Sequence, residues 1–308
     1  MSTTQRSSTS PSSLPRHTFS WFLLILANIL WATSYVAGKF ILQDISVIML
    51  NALRMGLASL FLMPLLFYKR KEIHLSWRDV PQLLLLALTG FVITKMLEYS
   101  GLALTTASDV ALLISSETLF TAAFAWLLLH ERFQPLRVGL MLLGLLGVYL
   151  IVERSFIPNI PSGGGVWRIF GDLLVVLGLL VEAFYTIRGK SLLVKHSPLI
   201  VISASIVGST LFWLPLASWE ILSVGWHPLS VTGWISVGWM ALVATVFGYL
   251  AWFQGLTKVD GSAAAVTLFI QPLFGTVLAI IILHEQLTPI TILGGVLIMT
   301  SVFLLSRQ

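Results

Sequence analysis

The chain has 308 residues, of which 57% are hydrophobic and 10% are charged, and its formal net charge is +5. Soluble domains carry about 25% charged residues. A chain with a mean hydropathy of +0.93 therefore has too little polar surface to fold in water, and we expect lipid to be its solvent. Its basic residues lie in short loops between apolar runs, a pattern typical of membrane proteins rather than of nucleic-acid binding. The chain contains no cysteine, which excludes disulfides, thiolate metal sites and a cysteine nucleophile.

Residues 1–18 are rich in Ser, Thr and Pro and are predicted to form a disordered cytoplasmic tail, with a transit peptide as the alternative. Ten apolar runs follow, each close to the roughly 20 residues that a membrane-spanning helix needs. Charged or helix-breaking residues separate the runs. The predicted spans are residues 20–42, 46–68, 81–103, 107–129, 135–153, 169–190, 198–219, 230–253, 262–283 and 288–306.

The distribution of Lys and Arg predicts which side each loop faces, because cytoplasmic loops carry an excess of basic residues. With the N-terminus inside, 13 basic residues fall in cytoplasmic segments and 3 in outer segments, while Arg54 and Lys95 lie within spans. The outer three are Lys39, Arg154 and Arg168. An odd number of spans would scramble this separation. The charge distribution therefore predicts ten spans with the N- and C-termini both cytoplasmic.

The chain also contains an internal duplication. A shift of 154 residues pairs Leu129-His130-Glu131 with Leu283-His284-Glu285, and Pro135 with Pro289, without a gap. Apolar helices match each other easily by chance. A His-Glu pair followed by a proline at a helix end is much less expected, so we interpret the two halves as copies of one unit.

Each copy holds five predicted spans, and an odd number per copy forces the two copies into opposite orientations. Inverted repeats recur in secondary transporters, which bind their substrate near the membrane midplane where the halves meet. The predicted fold class is therefore an all-α integral membrane protein with ten transmembrane helices in two inverted five-helix repeats. The first repeat covers residues 19–154, a Pro/Gly-rich linker covers 155–168, and the second repeat covers 169–308.

Several local patterns are similar to those of one known family. They are Trp31-Ala32-Thr33-Ser34-Tyr35-Val36-Ala37-Gly38-Lys39, Arg54, Gly101-Leu102 with Thr105-Thr106-Ala107-Ser108, and the two Leu-His-Glu helix ends. In this order they resemble the drug/metabolite transporter superfamily, specifically its EamA-type members, over about residues 20–306. The resemblance implies a bacterial plasma-membrane carrier for the efflux of amino acids or related metabolites. One departure is that the first half has Glu117-Thr118 where the second half keeps the Gln271-Pro272 usual in the family.

Glu117 and Glu182 are the strongest candidates for a substrate site. A charge at the centre of a spanning helix costs about 2.5–3.5 kcal/mol on insertion scales, so such residues persist where they pair, face water or have a function. Glu117 is the repeat mate of Gln271, and Glu182 is the repeat mate of Trp31. We expect these four positions to converge on a cavity in which the glutamates bind a cationic group or exchange a proton, with Tyr35 as further aromatic surface. The alternative is that the glutamates are protonated and only hydrogen-bond a neighbouring helix.

The remaining intramembrane polar residues each admit two interpretations. Lys95 and Glu98 are three residues apart on one helix face, so they form either a structural pair or a substrate contact. For Arg54, a role in packing or in tethering a loop is at least as expected as binding of substrate. For Asp109, capping of its own helix is a sufficient explanation. The predicted substrate site is completed by Tyr185, Tyr249 and Trp252, although aromatic belts at the membrane surfaces explain most Trp and Tyr without a ligand.

The sequence motifs of known enzyme classes are incomplete in this chain. His130-Glu131 and His284-Glu285 begin like a zinc-protease motif, but Gln134 and Thr288 stand where the second histidine is needed. We therefore predict no catalytic residues, no metal and no cofactor. The expected partners are a small-molecule substrate and the lipid bilayer, with proton coupling as an option and no nucleic acid. A secondary transporter working by alternating access is the leading hypothesis. An intramembrane lipid-processing enzyme and a structural membrane subunit are the alternatives, and the sequence leaves the substrate, direction and oligomeric state open.

Overall fold

A computed structural model describes residues 14–68, 76–129, 135–153, 165–193, 195–256 and 266–305. All regular secondary structure in these ranges is helical. In the first half the helices are α1 (Leu14–Ile41), α2 (Val47–Tyr68), α3 (Val80–Leu86, Ala87–Ile93 and Thr94–Leu104), α4 (Ala107–Ile114 and Glu117–Leu129) and α5 (Pro135–Glu153). In the second half they are α6 (Gly165–Leu193), α7 (Pro198–Val224), α8 (Val231–Gly238, Trp239–Phe247 and Gly248–Leu256), α9 (Val266–Phe269 and Ile270–Leu283) and α10 (Pro289–Leu305).

Two of these helices begin earlier than the apolar runs predict. Helix α1 begins at Leu14, inside the predicted tail, with Pro15 in its first turn, where the missing N–H of a proline leaves no helical bond unmade. Helix α6 begins at Gly165, so the last residues of the predicted linker are helical. The other linker residues up to 164 and residues 1–13 of the tail lie outside the described ranges.

The helices support a membrane-spanning arrangement. Six of them, α1, α2, α3, α6, α7 and α8, are long and apolar enough to cross a bilayer, and shorter apolar helices lie in α5, α9 and α10. The first three helices of each half are thus long, in agreement with the duplication. That all ten cross the membrane stays a prediction.

Helices that the repeat relates to each other pack in opposite directions. On α5 and α10, Gly147 lies against Gly294, and the Ser301 hydroxyl donates to the carbonyl of Leu140. On α4 and α9, Gly275 lies against Ala111, whereas Glu285 reaches Ala107. Residue numbers rise along one helix as they fall along its mate, which is the packing that an inverted repeat requires.

The contacts between the two halves come in related pairs. Helix α1 packs on α8 as α6 packs on α3, and α1 packs on α9 as α6 packs on α4. Helix α2 likewise packs on α8 as α7 packs on α3. The centre of the molecule is therefore bounded by equivalent helices from both halves.

Breaks in regular α-helix also occur at equivalent positions. Ala87–Ile93 in α3 and Trp239–Phe247 in α8 are π-helical. Helix α4 is interrupted at Ser115 and Ser116, and α9 changes from a 3₁₀ to an α-helix after Phe269. π-Helical turns are frequent at functional sites. The two π-helical parts and the two interruptions therefore indicate that a functional site lies between these helices.

Close packing of α5 on α10 generates a stability prediction. A Cβ atom at Gly147 would lie 2.5 Å from the Gly294 carbonyl oxygen and 2.8 Å from the Ile298 side chain. Overpacking of this kind costs about 1–3 kcal/mol, so we expect Gly147→Ala to lower the thermal unfolding midpoint of the purified protein in detergent. Gly139 lies on the same helix with nothing within 4 Å of an added Cβ, so Gly139→Ala is the matched control and should leave the midpoint unchanged or raised. Equal midpoints for the two variants would contradict this packing.

Candidate functional site

A cavity of about 330 Å³ lies between the two halves. Its volume is within the range of about 300–1,000 Å³ that small-molecule sites occupy. The predicted site residues that line it are Trp31, Tyr35, Lys95, Glu98, Glu117, Glu182, Tyr185, Tyr249, Trp252 and Gln271. The structure thus brings together all ten residues of the predicted substrate site, whereas their binding of a substrate stays a prediction.

A buried ion cluster occupies one side of the cavity. The Lys95 ammonium lies 2.6 Å from a Glu98 carboxylate oxygen and 3.8 Å from a Glu182 carboxylate oxygen. The pairing of Lys95 with Glu98 along α3 agrees with the structural interpretation of their spacing. Its extension to Glu182 on α6 joins the two halves of the molecule. Because removing one partner of a buried ion pair costs about 3–5 kcal/mol, this cluster holds its members in place.

Glu117 differs from the other two glutamates of the cavity. It begins the second part of α4, directly after the interruption at Ser115 and Ser116. Both serine hydroxyls donate to backbone carbonyls of the preceding turn, to Leu112 and Leu113, at 2.6 Å. The Glu117 carboxylate lines the cavity but forms no ion pair and accepts no hydrogen bond from another described residue.

Gln271, the repeat mate of Glu117, has a structural anchor instead. Its side-chain amide donates to the Asn28 side-chain oxygen at 2.8 Å, and the Asn28 amide donates to the Thr267 hydroxyl at 3.0 Å. These bonds join α9 to α1 at the cavity edge. The two mates therefore occupy equivalent positions but make different interactions.

Arg54 also lines the cavity and is held by protein groups. Its Nε donates to the Thr245 hydroxyl at 2.9 Å, and one terminal nitrogen donates to the Tyr99 hydroxyl at 2.7 Å. The Thr245 hydroxyl in turn donates to the carbonyl of Met240 at 2.8 Å, within the π-helical part of α8. This network agrees with the tethering role considered for Arg54.

Aromatic rings form much of the remaining wall. The ring centroids of Trp31 and Tyr249 are 5.2 Å apart, and those of Trp31 and Trp252 are 5.4 Å apart. Phe91 lies behind the wall, with its centroid 5.8 Å from Tyr185 and 5.9 Å from Tyr249. These separations are typical of favourable aromatic pairs, so the rings support each other in fixed positions.

A second polar cluster lies at one end of the bundle, the end that the charge distribution predicts to be outside. Arg168 on α6 donates to the Asp109 carboxylate on α4, at 3.0 Å from Nε, and the Thr105 hydroxyl contacts both Asp109 and Asp172. Capping does not explain Asp109, because the cap of α4 is Thr106, whose hydroxyl accepts the Asp109 N–H at 3.2 Å.

Glu285 and Lys39 extend this cluster to two more helices. One carboxylate oxygen of Glu285, just after α9, accepts the Ala107 N–H at 2.8 Å, and the other accepts the Ser108 N–H at 2.8 Å together with the Ser108 hydroxyl. The Lys39 ammonium, near the end of α1, donates to the Thr105 carbonyl. We name these residues the polar seal: Lys39, Thr105, Ser108, Asp109, Arg168, Asp172 and Glu285.

The cavity extends away from the polar seal. Its lining includes Leu86 near the start of α3, Gly189 near the end of α6 and Val201 near the start of α7. These residues lie at the opposite end of the bundle from the seal, towards the side predicted to be cytoplasmic. The cavity is therefore closed by hydrogen bonds and ion pairs at the predicted outer end.

Sequence reasoning missed the polar seal as a unit. The available signal was the presence of Asp109 and Asp172 at the same predicted end of spans four and six, with Arg168 four residues before Asp172. Polar residues near a membrane surface carry little energetic cost, so that signal was weak. Among the described residues, no group of three or more His, Asp or Glu side chains could hold a metal ion.

Comparison with known proteins places the chain in a family. The model of the EamA-like transporter family matches residues 18–153 and again 169–307, so the family unit occurs twice. A solved structure with 16% sequence identity superposes with a TM-score of 0.63, covering 94% of this chain and 98% of that one, which shows a shared fold.

The relatives of this chain are named as transporters. An uncharacterized transporter of Archaeoglobus fulgidus is 28% identical over 93% of this chain and 96% of its own. A probable terminal-alkyne amino-acid exporter of Streptantibioticus cattleyicolor is 23% identical over 92% of each chain. An S-adenosylmethionine/S-adenosylhomocysteine transporter of Chlamydia muridarum is 33% identical over 42% of each chain. These relatives are transporters and not enzymes, which removes the enzyme alternative. With its two family units in inverted halves around a central cavity, the chain belongs to the EamA-like transporter family.

Proposed function

We propose that this protein is a secondary transporter that exports an amino acid or a related small metabolite across the plasma membrane by alternating access. The observation that carries the proposal is a central cavity bounded by equivalent helices of two inverted halves and closed at one end by the polar seal. A carrier needs such a cavity to open to one side at a time. A probable terminal-alkyne amino-acid exporter and an S-adenosylmethionine/S-adenosylhomocysteine transporter among its relatives support the substrate class.

The proposed membrane arrangement has ten crossings, with both termini in the cytoplasm. Residues 19–154 and 169–308 form the two five-helix repeats. The excess of basic residues in the predicted cytoplasmic segments supports this orientation, and the antiparallel packing of α4 on α9 and of α5 on α10 supports the inversion. In this arrangement the polar seal faces outside, and the described state of the protein is closed to that side.

We further propose that transport is coupled to protons through Glu117. Its carboxylate faces the cavity without a partner among the described residues, so it is the acid group best able to take up and release a proton. The charged and titratable side chains that line the same cavity are Tyr35, Arg54, Lys95, Glu98, Tyr99, Glu182, Tyr185 and Tyr249. The two glutamates among them, Glu98 and Glu182, already pair with Lys95.

Glu285→Gln tests the polar seal as the outer gate. The amide loses the negative charge and one of two acceptors for the α4 amides, and hydrogen bonds to charged groups contribute about 1.5–3 kcal/mol each. We expect the seal to open more often, so that a cysteine replacing Ser34 in the cavity wall reacts about tenfold faster with a membrane-impermeant thiol reagent from outside. The chain has no native cysteine to interfere.

Asp44→Asn is the matched control for this experiment. Asp44 lies at the same end of the bundle and also accepts a backbone N–H and a serine hydroxyl, both from Ser230, at 2.9 and 2.6 Å. It belongs to no contact of the polar seal described above. A labelling rate that rises equally in both variants, or in neither, would rule out a specific gating role for Glu285.

Glu117→Gln tests the proton coupling. In proteoliposomes, we expect an imposed pH gradient to accelerate transport by the unmodified protein several-fold and to leave the rate of the variant unchanged, because the amide takes up no proton in this range. Uptake is measured at equal membrane potential with and without the gradient. A variant that responds to the gradient as strongly as the unmodified protein would exclude Glu117 as the coupling residue.

A further inference from the structure

Charge matching inside the cavity narrows the substrate class. We propose that the cavity selects an organic cation, an amine with an apolar or aromatic body and no carboxylate, over a zwitterionic amino acid of the same shape, and that Glu117 is the counter-ion. This inference rests on the proposed transport function, and it changes the substrate that the amino-acid resemblance implies.

The first observation is the charge of the cavity wall. Five charged residues line it, the basic Arg54 and Lys95 and the acidic Glu98, Glu117 and Glu182. With all five ionised, the wall carries one net negative charge. In a site shielded from water, an unbalanced charge interacts strongly with a ligand of opposite sign, because screening by solvent is weak there.

The second observation is that both basic groups are already engaged. Lys95 lies between two carboxylates, at 2.6 and 3.8 Å, and Arg54 donates to Thr245 and Tyr99. A substrate carboxylate that bound Lys95 would have to take it from its partners and leave a buried glutamate uncompensated. Breaking a buried pair in this way costs about 3–5 kcal/mol. Of the two cations in the wall, Lys95 is thus available to a carboxylate only if an ion pair breaks, and Arg54 only through the N–H groups that its two hydroxyl bonds leave over.

The third observation is the surroundings of the unpaired acid. Glu117 lines the same cavity as Trp31, Tyr249 and Trp252, and the ring centroids of Tyr249 and Trp252 lie 5.2 and 5.4 Å from that of Trp31. Indole and phenol faces attract cations, and Trp does so best. An ammonium group can thus be neutralised by Glu117 while its apolar body packs on the rings. A zwitterion would gain the same contacts but, having no net charge, would leave the net negative charge of the wall unbalanced.

A matched pair of ligands tests this inference. Phenylalanine and phenylalanine amide have nearly the same shape, but at pH 6.5, below the pKa of about 7.7–8.0 that α-amino groups have, the first is a zwitterion and the second a cation. Binding of each to the purified full-length protein is measured by equilibrium dialysis of the labelled compound, and transport is measured in proteoliposomes. We expect the amide to bind at least tenfold more tightly than the amino acid. Glu117→Gln should remove that preference, and Glu117→Asp, which keeps the charge, should retain most of it.

Glu220→Gln is the control variant. Glu220 lies on α7 and is not among the residues that line the cavity, so this substitution should leave the preference intact. Equal binding of the two ligands, tighter binding of phenylalanine, or binding of neither would overturn the inference, as would a preference that survives in Glu117→Gln. Transport of amino acids without a preference for the cation would overturn the inference alone. A preference in binding without transport of any compound would instead overturn the proposed transport function.

Discussion

In a bilayer, every backbone amide must find its hydrogen-bond partner within the protein, and irregular backbone is tolerated only where it is buried or lines a cavity. This constraint explains why the described chain is helical and where it departs from regular helix. Residues at the interruptions in α4 and α9 line the central cavity, and the π-helical parts of α3 and α8 adjoin two of its lining residues, Leu86 and Tyr249. At the α4 interruption, Ser115 and Ser116 bond to preceding carbonyls, so their hydroxyls cap the shortened helix.

The cost of burying charge organises the side chains in the same way. Lys95, Glu98 and Glu182 neutralise one another across α3 and α6, and Arg54 is satisfied by neutral hydroxyls on α3 and α8. Each group is thereby held by the helices that form the cavity wall. Glu117 stands apart, because its charge has no such partner among the described residues. The ion pairs of Lys95 and the hydrogen bonds of Arg54 therefore contribute to the stability of the fold, whereas Glu117 is the charged group of the wall that is left for a ligand.

Much of the fold and of the site could be predicted from the sequence, because charged and polar residues are rare within membrane-spanning segments and therefore mark positions with a structural or functional role. Spans are long apolar runs, and an acid such as Glu117 in the middle of one stands out. What the sequence could not supply were distances between helices that are remote in the chain. The pairing of Lys95 with Glu182 and the isolation of Glu117 depend on how α3, α4 and α6 pack.

The polar seal was not predicted because its residues lie near helix ends, where polar side chains are common in any membrane protein. The early starts of α1 and α6 were missed because Pro15, Arg16 and His17 precede the first apolar run, and Gly165 and Arg168 precede the run that forms α6.

The polar seal breaks the equivalence of the two halves. Under the repeat, Asp109 corresponds to Ala263, Arg168 to His17 and Asp172 to Trp21, whereas Glu285 has an acidic mate in Glu131, so the unit formed by Arg168 and the two aspartates occurs at one end only. An empty carrier with such a difference would rest mainly in the state that keeps the network intact, and each 1.4 kcal/mol of difference shifts the two populations about tenfold. The two half-cycles would then differ in rate and in temperature dependence, because the buried Asp109, Arg168 and Asp172 would be hydrated in only one of them. Duplication followed by unequal substitution of charged residues would in this way give a symmetric scaffold one preferred conformation, closed at the end that carries the polar seal.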